Sequence, residues 1–172
     1  VWKDLEYFQA DVAKVGDKAY KTVAKAVAAA QSGDTVTLIA DTTRIEKVEI
    51  PEGMTLTLDL AGYTMNGSML APNANLTVQN GSIVNNDVTV SALEINAGEL
   101  HLVDVNIDSA RHAIRIDGAV TATINGGTIS GGTVDLQVVR SDSILNLTLD
   151  EGKTVGASFP GGITVEGTTL AE

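Results

Sequence analysis

Cysteine is missing from this chain altogether. No disulfide can form, and thiol chemistry gives no pointer to a compartment. With only two histidines besides, no transition-metal site and no cofactor is expected. Aromatic residues are nearly as scarce, at one Trp, three Tyr and two Phe. Apolar residues still make up 44% of the chain, so the core must be built from Val, Ile, Leu and Ala, which fill a narrow tube better than rings do. Three prolines against 17 glycines suit many tight corners with few rigid breaks. Basic residues are outnumbered, 11 Lys and Arg against 22 Asp and Glu, for a net charge of −11. Phosphates need a basic surface, so neither nucleic acid nor an anionic membrane surface is an expected partner. An acidic surface favours solubility and discourages strand edges from pairing between copies. No apolar run reaches membrane-spanning length, so no membrane insertion is expected, and no signal peptide is recognised. The start at Val1 rather than Met is expected to reflect processing, excision or trimming.

What the chain does have is a phrase that recurs about every twenty residues. Four segments align: Leu56 to Met65, Leu76 to Val84, Leu100 to Ile107 and Val120 to Ile129. Their heads, Leu56, Leu76, Leu100 and Val120, are spaced 20, 24 and 20 residues apart. A period of this length marks a repeat architecture. Each copy is two short alternating strands around a turn, too small to bury its own apolar face, so it must stack on its neighbours.

A second phrase falls between the copies: Lys47-Val48-Glu49-Ile50, Ala92-Leu93-Glu94-Ile95, Ala113-Ile114-Arg115-Ile116, Val134-Asp135-Leu136-Gln137-Val138 and Ile163-Thr164-Val165-Glu166. Apolar and polar residues alternate, which turns one strand face inward and the other to water. Three short strands per repeat, each feeding the next around a corner, describe one coil of a right-handed parallel β-helix. Coils would stack at roughly 4.8 Å. The expected fold class is thus all-β, a parallel β-helix of about six coils over residues 34–172. Ile50, Ile95, Ile116 and Val138 are expected in one inward column, and the four phrase heads in another.

Residues 1–19 read differently. Trp2, Tyr7 and Phe8 crowd the first eight residues, and Val12 to Tyr20 reads as a small hairpin about Gly16-Asp17. Thr22 is a good N-cap for the Ala-rich helix that follows, with Val23, Val27 and Ala30 on one face and Ser32-Gly33 as its stop. An amphipathic helix across the first coil would cover exposed core and unpaired backbone, so residues 20–33 are read as an N-terminal cap. No comparable cap is recognised at the other end.

The run from Val15-Gly16-Asp17 through Ala28-Ala29-Ala30-Gln31-Ser32-Gly33-Asp34-Thr35-Val36-Thr37-Leu38 resembles the cap and first rung of pectin-lyase-like β-helix proteins. Ile50-Pro51-Glu52-Gly53-Met54-Thr55-Leu56 and the residues up to Tyr63 are similar to the next stretch of many such chains. The pattern is similar to repeat regions of large bacterial surface proteins and of phage fibre or decoration proteins, over residues 12–167. That superfamily includes polysaccharide lyases and hydrolases, adhesins, tailspikes and non-catalytic spacers, so the resemblance implies a fold and leaves the function open.

An enzyme on this fold needs clustered carboxylates and a nearby Lys, Arg or His. Asp104, Asp108, Arg111, His112 and Arg115 form the best local cluster for catalysis or carbohydrate binding. Against that, Arg115 alternates with Ile114 and Ile116 as an ordinary outward residue, Arg111 and His112 fall at a corner, and the superfamily's Asn-Thr-Asp, Asp-Asp and Gly-His-Gly signatures are missing. The expectation is therefore no enzymatic activity. The favoured function is a rigid extracellular structural or adhesion module of a bacterial surface protein. The alternatives are a phage virion fibre or decoration protein, located in the virion, and a carbohydrate-binding or polysaccharide-degrading fragment. Trp2, Tyr7 and Phe8 are the expected docking residues for a protein partner or neighbouring domain at the N-terminal end, with surface glycans as a further partner class.

Overall fold

A computed structural model describes residues 9–139, 144–147 and 163–165. Trp2, Tyr7, Phe8 and the last residues of the chain lie outside them. In chain order the elements are β1 (Ala13–Val15), β2 (Lys18–Tyr20), α1 (Val23–Ala29), β3 (Thr35–Leu38), β4 (Glu46–Glu49), β5 (Met54–Asp59), β6 (Thr64–Ala71) and β7 (Ala74–Asn85). Then come β8 (Leu93–Ile95), β9 (Gly98–Ser109), β10 (His112–Ile116), β11 (Val120–Asn125), β12 (Ile129–Gly131), β13 (Val134–Val138), β14 (Ile144–Leu147) and β15 (Ile163–Val165).

From β3 onward every strand pairing is parallel, and the strands form three sides of a solenoid. The first side stacks β3, β5, the start of β7, the start of β9, β11 and β14. The second stacks the start of β6, the ends of β7 and β9, and β12. The third stacks β4, the end of β6, β8, β10, β13 and β15. The chain is a parallel β-solenoid of about five turns. In its first coil the second side is loop rather than strand, tied to the next coil by Thr42 N–H to Thr64 O at 3.0 Å and by Thr64 N–H to Asp41 Oδ1 at 2.7 Å.

The inward columns follow the alternation read from the sequence. On the third side Ile50 sits over Ala71, and Ala71, Ile95, Ile116 and Val138 continue the column. On the first side Leu56, Leu76 and Leu100 stack, but the next residue is Ala122, not Val120. Val120 pairs with Gly98, two positions earlier in the strand. Both Val120 and Ala122 point inward, so the period-two pattern fits either register, and only the corner length decides. A rung also goes unread in the second phrase: Met69 and Ala71 are buried and Leu70 faces out, within β6, which passes from the second side to the third at Gly67 (φ +133) without a break in the strand.

The N-terminal elements pair with and pack against the first coil. Gly16 (φ +55) turns β1 into β2, and β1 pairs antiparallel with both β2 and β3, covering the edge of the first side. Val23, Ala26 and Val27 of α1 are wholly buried in the common core. Thr22 caps α1 as its sequence implies, its hydroxyl accepting from Lys25 N–H at 3.1 Å. The stop differs. The helix ends at Ala29, with Ala30 already extended, and Gly33 (φ +96) belongs to the following turn, where its N–H reaches Thr55 O at 2.7 Å.

Candidate functional site

Three of the five residues of the candidate cluster line one groove of the solenoid's surface, and Asp108 lines another. Asp104 stands at the corner between the first and second sides. Its backbone is left-handed (φ 53), in line with Asn80 (φ 58) one coil before and Gly126 (φ 74) one coil after. Its carboxylate leans over Gly126, where a Cβ would lie 2.3 Å from Asp104 Oδ1. This is a corner residue, of the short polar type that tolerates left-handed backbone. Asp108 faces out from the second side, in a shallow groove of about 330 Å³ with Asn106, Thr128 and Ser130. Arg111, His112 and Arg115 line a different groove, on the third side. Asp108 and the three basic residues thus line different grooves.

The third-side groove has its own logic. Ile114 and Ile116 are buried in the core column, which points Arg115 outward from β10. Glu94 and Gln137 flank Arg115 in register, one coil to either side. Arg115 Nη1 pairs with Glu94 Oε1 at 2.8 Å and Nη2 with Asp117 Oδ2 at 2.7 Å, so two carboxylates share its one charge.

Above this ladder lies the loop 86–91, between β7 and β8. Asn85, 1% exposed, ties the loop down: its Nδ2 donates to Val90 O at 2.9 Å and Asp87 O at 3.3 Å, and its Oδ1 accepts from Asp87 N–H at 3.2 Å. Asp87 Oδ1 in turn accepts from Thr89 N–H at 2.8 Å and from the Thr89 hydroxyl at 2.5 Å. Those two bonds hold the Asp87 carboxyl below its ordinary value. Arg111 Nη1 donates to Thr89 O, fastening the loop to the next coil.

His112 opens β10 beneath this loop and is 6% exposed. Its Nδ1 lies 3.3 Å from Ser91 Oγ. Burial lowers its pKa, and the charges of Arg111 and Arg115 lower it further against the opposing pull of Glu94, so the ring is held neutral. Thr89, Glu94, Arg111, His112, Arg115 and Gln137 together bound an open polar groove of about 520 Å³. Glu94 and Val90 also bound a more apolar groove of about 300 Å³ on the other side of the loop, with Lys47, Leu70 and Ser91.

The loop, Ser91 and the Glu94 partnership escape a residue-by-residue reading. Their one signal is the longer spacing of 24 between Leu76 and Leu100, which leaves room for an insertion in that coil. Among the described residues no group of three or more His, Asp or Glu could hold a metal ion, and no helix is long and apolar enough to cross a membrane.

The fold defines the class as a parallel β-solenoid repeat protein. Compared with protein-family models, curated proteins and solved structures, the chain matches none.

Proposed function

We propose that the protein is a non-catalytic structural and adhesion module of a bacterial surface protein, working outside the cell as a stiff scaffold with recognition on its sides and ends. One observation carries the reading: the inward columns pass from rung to rung without interruption, from Ile50 to Val138 on the third side and from Leu56 to Ala122 on the first. Bending such a stack means disrupting close-packed core. The placement of Asp108 in a different groove from Arg111, His112 and Arg115 also supports a binding surface over a catalytic one. Attachment is proposed to run through Trp2, Tyr7 and Phe8 to a neighbouring domain or subunit, since clustered aromatics make effective anchors.

Two assays test this reading. The purified domain is incubated with acidic and neutral polysaccharides, and no new reducing ends and no unsaturated products are expected. Cleavage that His112→Ala or Asp108→Ala abolishes would replace the proposal with an enzyme. Separately, antibody against the domain should label intact producing cells, and deletion of residues 1–10 should release the label while the far-UV spectrum persists. Recovery of the chain in purified phage particles instead would favour the virion reading.

A further inference from the structure

We propose that the polar groove beneath loop 86–91 is a binding site for a carboxylate group, with Arg111 and His112 as its donors. The proposal deepens the adhesion reading, and rests on it for the ligand being held and released unchanged.

Three observations converge on it. Arg111 is the cation left over. Arg115 is neutralised by Glu94 and Asp117, whereas Arg111 has no carboxylate partner among the described residues and donates only to the Thr89 carbonyl. That bond fixes the guanidinium at the rim and leaves most of its donors for a ligand. Arg111 offsets the excess negative charge of the Arg115–Glu94–Asp117 group and is the guanidinium of this groove open to a ligand anion.

The second observation is His112. It lines the groove and is 6% exposed, yet its Nε2 has no hydrogen-bond partner among the described residues. Ser91 is also buried, and among the described residues its hydroxyl reaches His112 Nδ1. When the Ser91 hydroxyl donates to Nδ1, the ring proton sits on Nε2 and faces the groove. In that tautomer His112 offers the groove an N–H donor backed by Ser91. The third observation is Gln137, next to Arg115 in register, whose amide adds a further donor at the same groove. A site rich in donors, carrying one unpaired cation, suits a single acceptor-only anion with two oxygens. Carboxylate has that chemistry, and the planar guanidinium matches its geometry.

The carboxylate could belong to an acidic sugar or to a peptide C-terminus. The full chain, with ¹⁵N in its Arg and His side chains, is titrated with D-glucuronate in one arm and with an N-acetylated dipeptide bearing a free carboxylate in the other. The methyl ester of the sugar and the amide of the dipeptide are the neutral controls. The expected result is a saturable shift of the His112 Nε2–H and Arg111 Nε–H signals in the millimolar range, absent with the controls. Arg111→Gln should weaken it by roughly tenfold or more at an unchanged melting point. Arg111→Lys, which keeps the charge and loses the fork, should bind with intermediate strength, and serves if the Gln variant is poorly folded. A response to one arm alone identifies the source, and a response to both identifies the carboxylate itself as the determinant. Absence of a saturable shift, equal shifts with the neutral controls, or indifference to Arg111→Gln would overturn the site and leave the scaffold reading standing. Chemical conversion of the bound sugar, seen in its own signals, would overturn the adhesion reading and leave the carboxylate site standing.

Discussion

Glu46 closes the N-terminal end of α1 from another element. Its Oε1 accepts from Val23 N–H at 3.1 Å and its Oε2 from Ala24 N–H at 3.0 Å, twenty-two and more residues back along the chain. The carboxylate stands at the start of β4 and is 7% exposed. Helix and first coil are therefore joined by a charged acceptor on otherwise unpaired amides, as well as by apolar packing.

Glu46→Ala should cost about 1–3 kcal/mol, because two largely buried N–H groups lose their acceptor. Glu46→Gln keeps one acceptor oxygen and should cost less. Urea melts of the two variants give the ranking, and an equal, negligible loss would show that water replaces the carboxylate.

The assigned strand faces can be checked at adjacent residues. Ile116 is wholly buried, so Ile116→Asp places a carboxylate in apolar core at a cost of several kcal/mol. Arg115→Ala removes two ion pairs whose Arg side chain is 26% exposed, and partly exposed pairs contribute about 1 kcal/mol or less. Comparable shifts of the urea midpoint in the two variants would contradict the inward and outward assignment.

Two glycines with unusual backbone should respond unequally to alanine. At Gly62 (φ +87) an added Cβ meets nothing within 4 Å, so only the backbone conformation is strained, costing about 1–3 kcal/mol. At Gly67 (φ +133) the Cβ would lie 1.9 Å from Glu46 O, so the rungs must part as well. Thermal melts should therefore place Gly67→Ala well below Gly62→Ala.

Acid should loosen the region around loop 86–91 before the rest of the stack. His112 titrates below its ordinary value of 6.5 in the fold, so the unfolded chain binds the proton first. Its contribution to stability is complete above 6.5 and is lost as the pH falls from there through the lower folded value. The groups acting on it are Arg111, Arg115 and Glu94. Asp87, with Lys47 nearby, follows the same direction in a more acidic window, below its ordinary 3.8, where protonation breaks its bonds to Thr89. Protection factors of the amides of residues 86–91, taken relative to the intrinsic exchange rate at each pH, should fall from neutral pH to about pH 5 in the parent and much less in His112→Gln.

The repeat and its inward columns were legible because alternation is a local signal. Leu56, Leu76 and Leu100 could be aligned from spacing alone, and Ile95, Ile116 and Val138 likewise. The slip at Val120 has a local cause: its strand carries small apolar residues at both Val120 and Ala122, and nothing in the strand distinguishes them. The rung at residues 67–71 was hidden by the outward Leu70 and by a corner made from one glycine instead of a turn cluster. Of the groove, Arg111, His112 and Arg115 were legible as a cluster, but their partners were not. His112 meets Ser91, and Arg115 meets Glu94, each 21 residues apart, one coil along the chain. Such partners are chosen by coil length, which a strand pattern does not fix.

Loop 86–91 leaves and rejoins the stack at anchored points. Asn85 is in register with Ser109, and Leu93 lies between Met69 and Ile114. The ladders on either side are set by these positions, and the path taken between them adds nothing to any inward column. Sequence or length in that interval can therefore drift, or be replaced by design, while the frame stays put. The rungs are tied to one another by their packing, and the excursion between Asn85 and Leu93 is the part of this coil that can change its ligand without moving them.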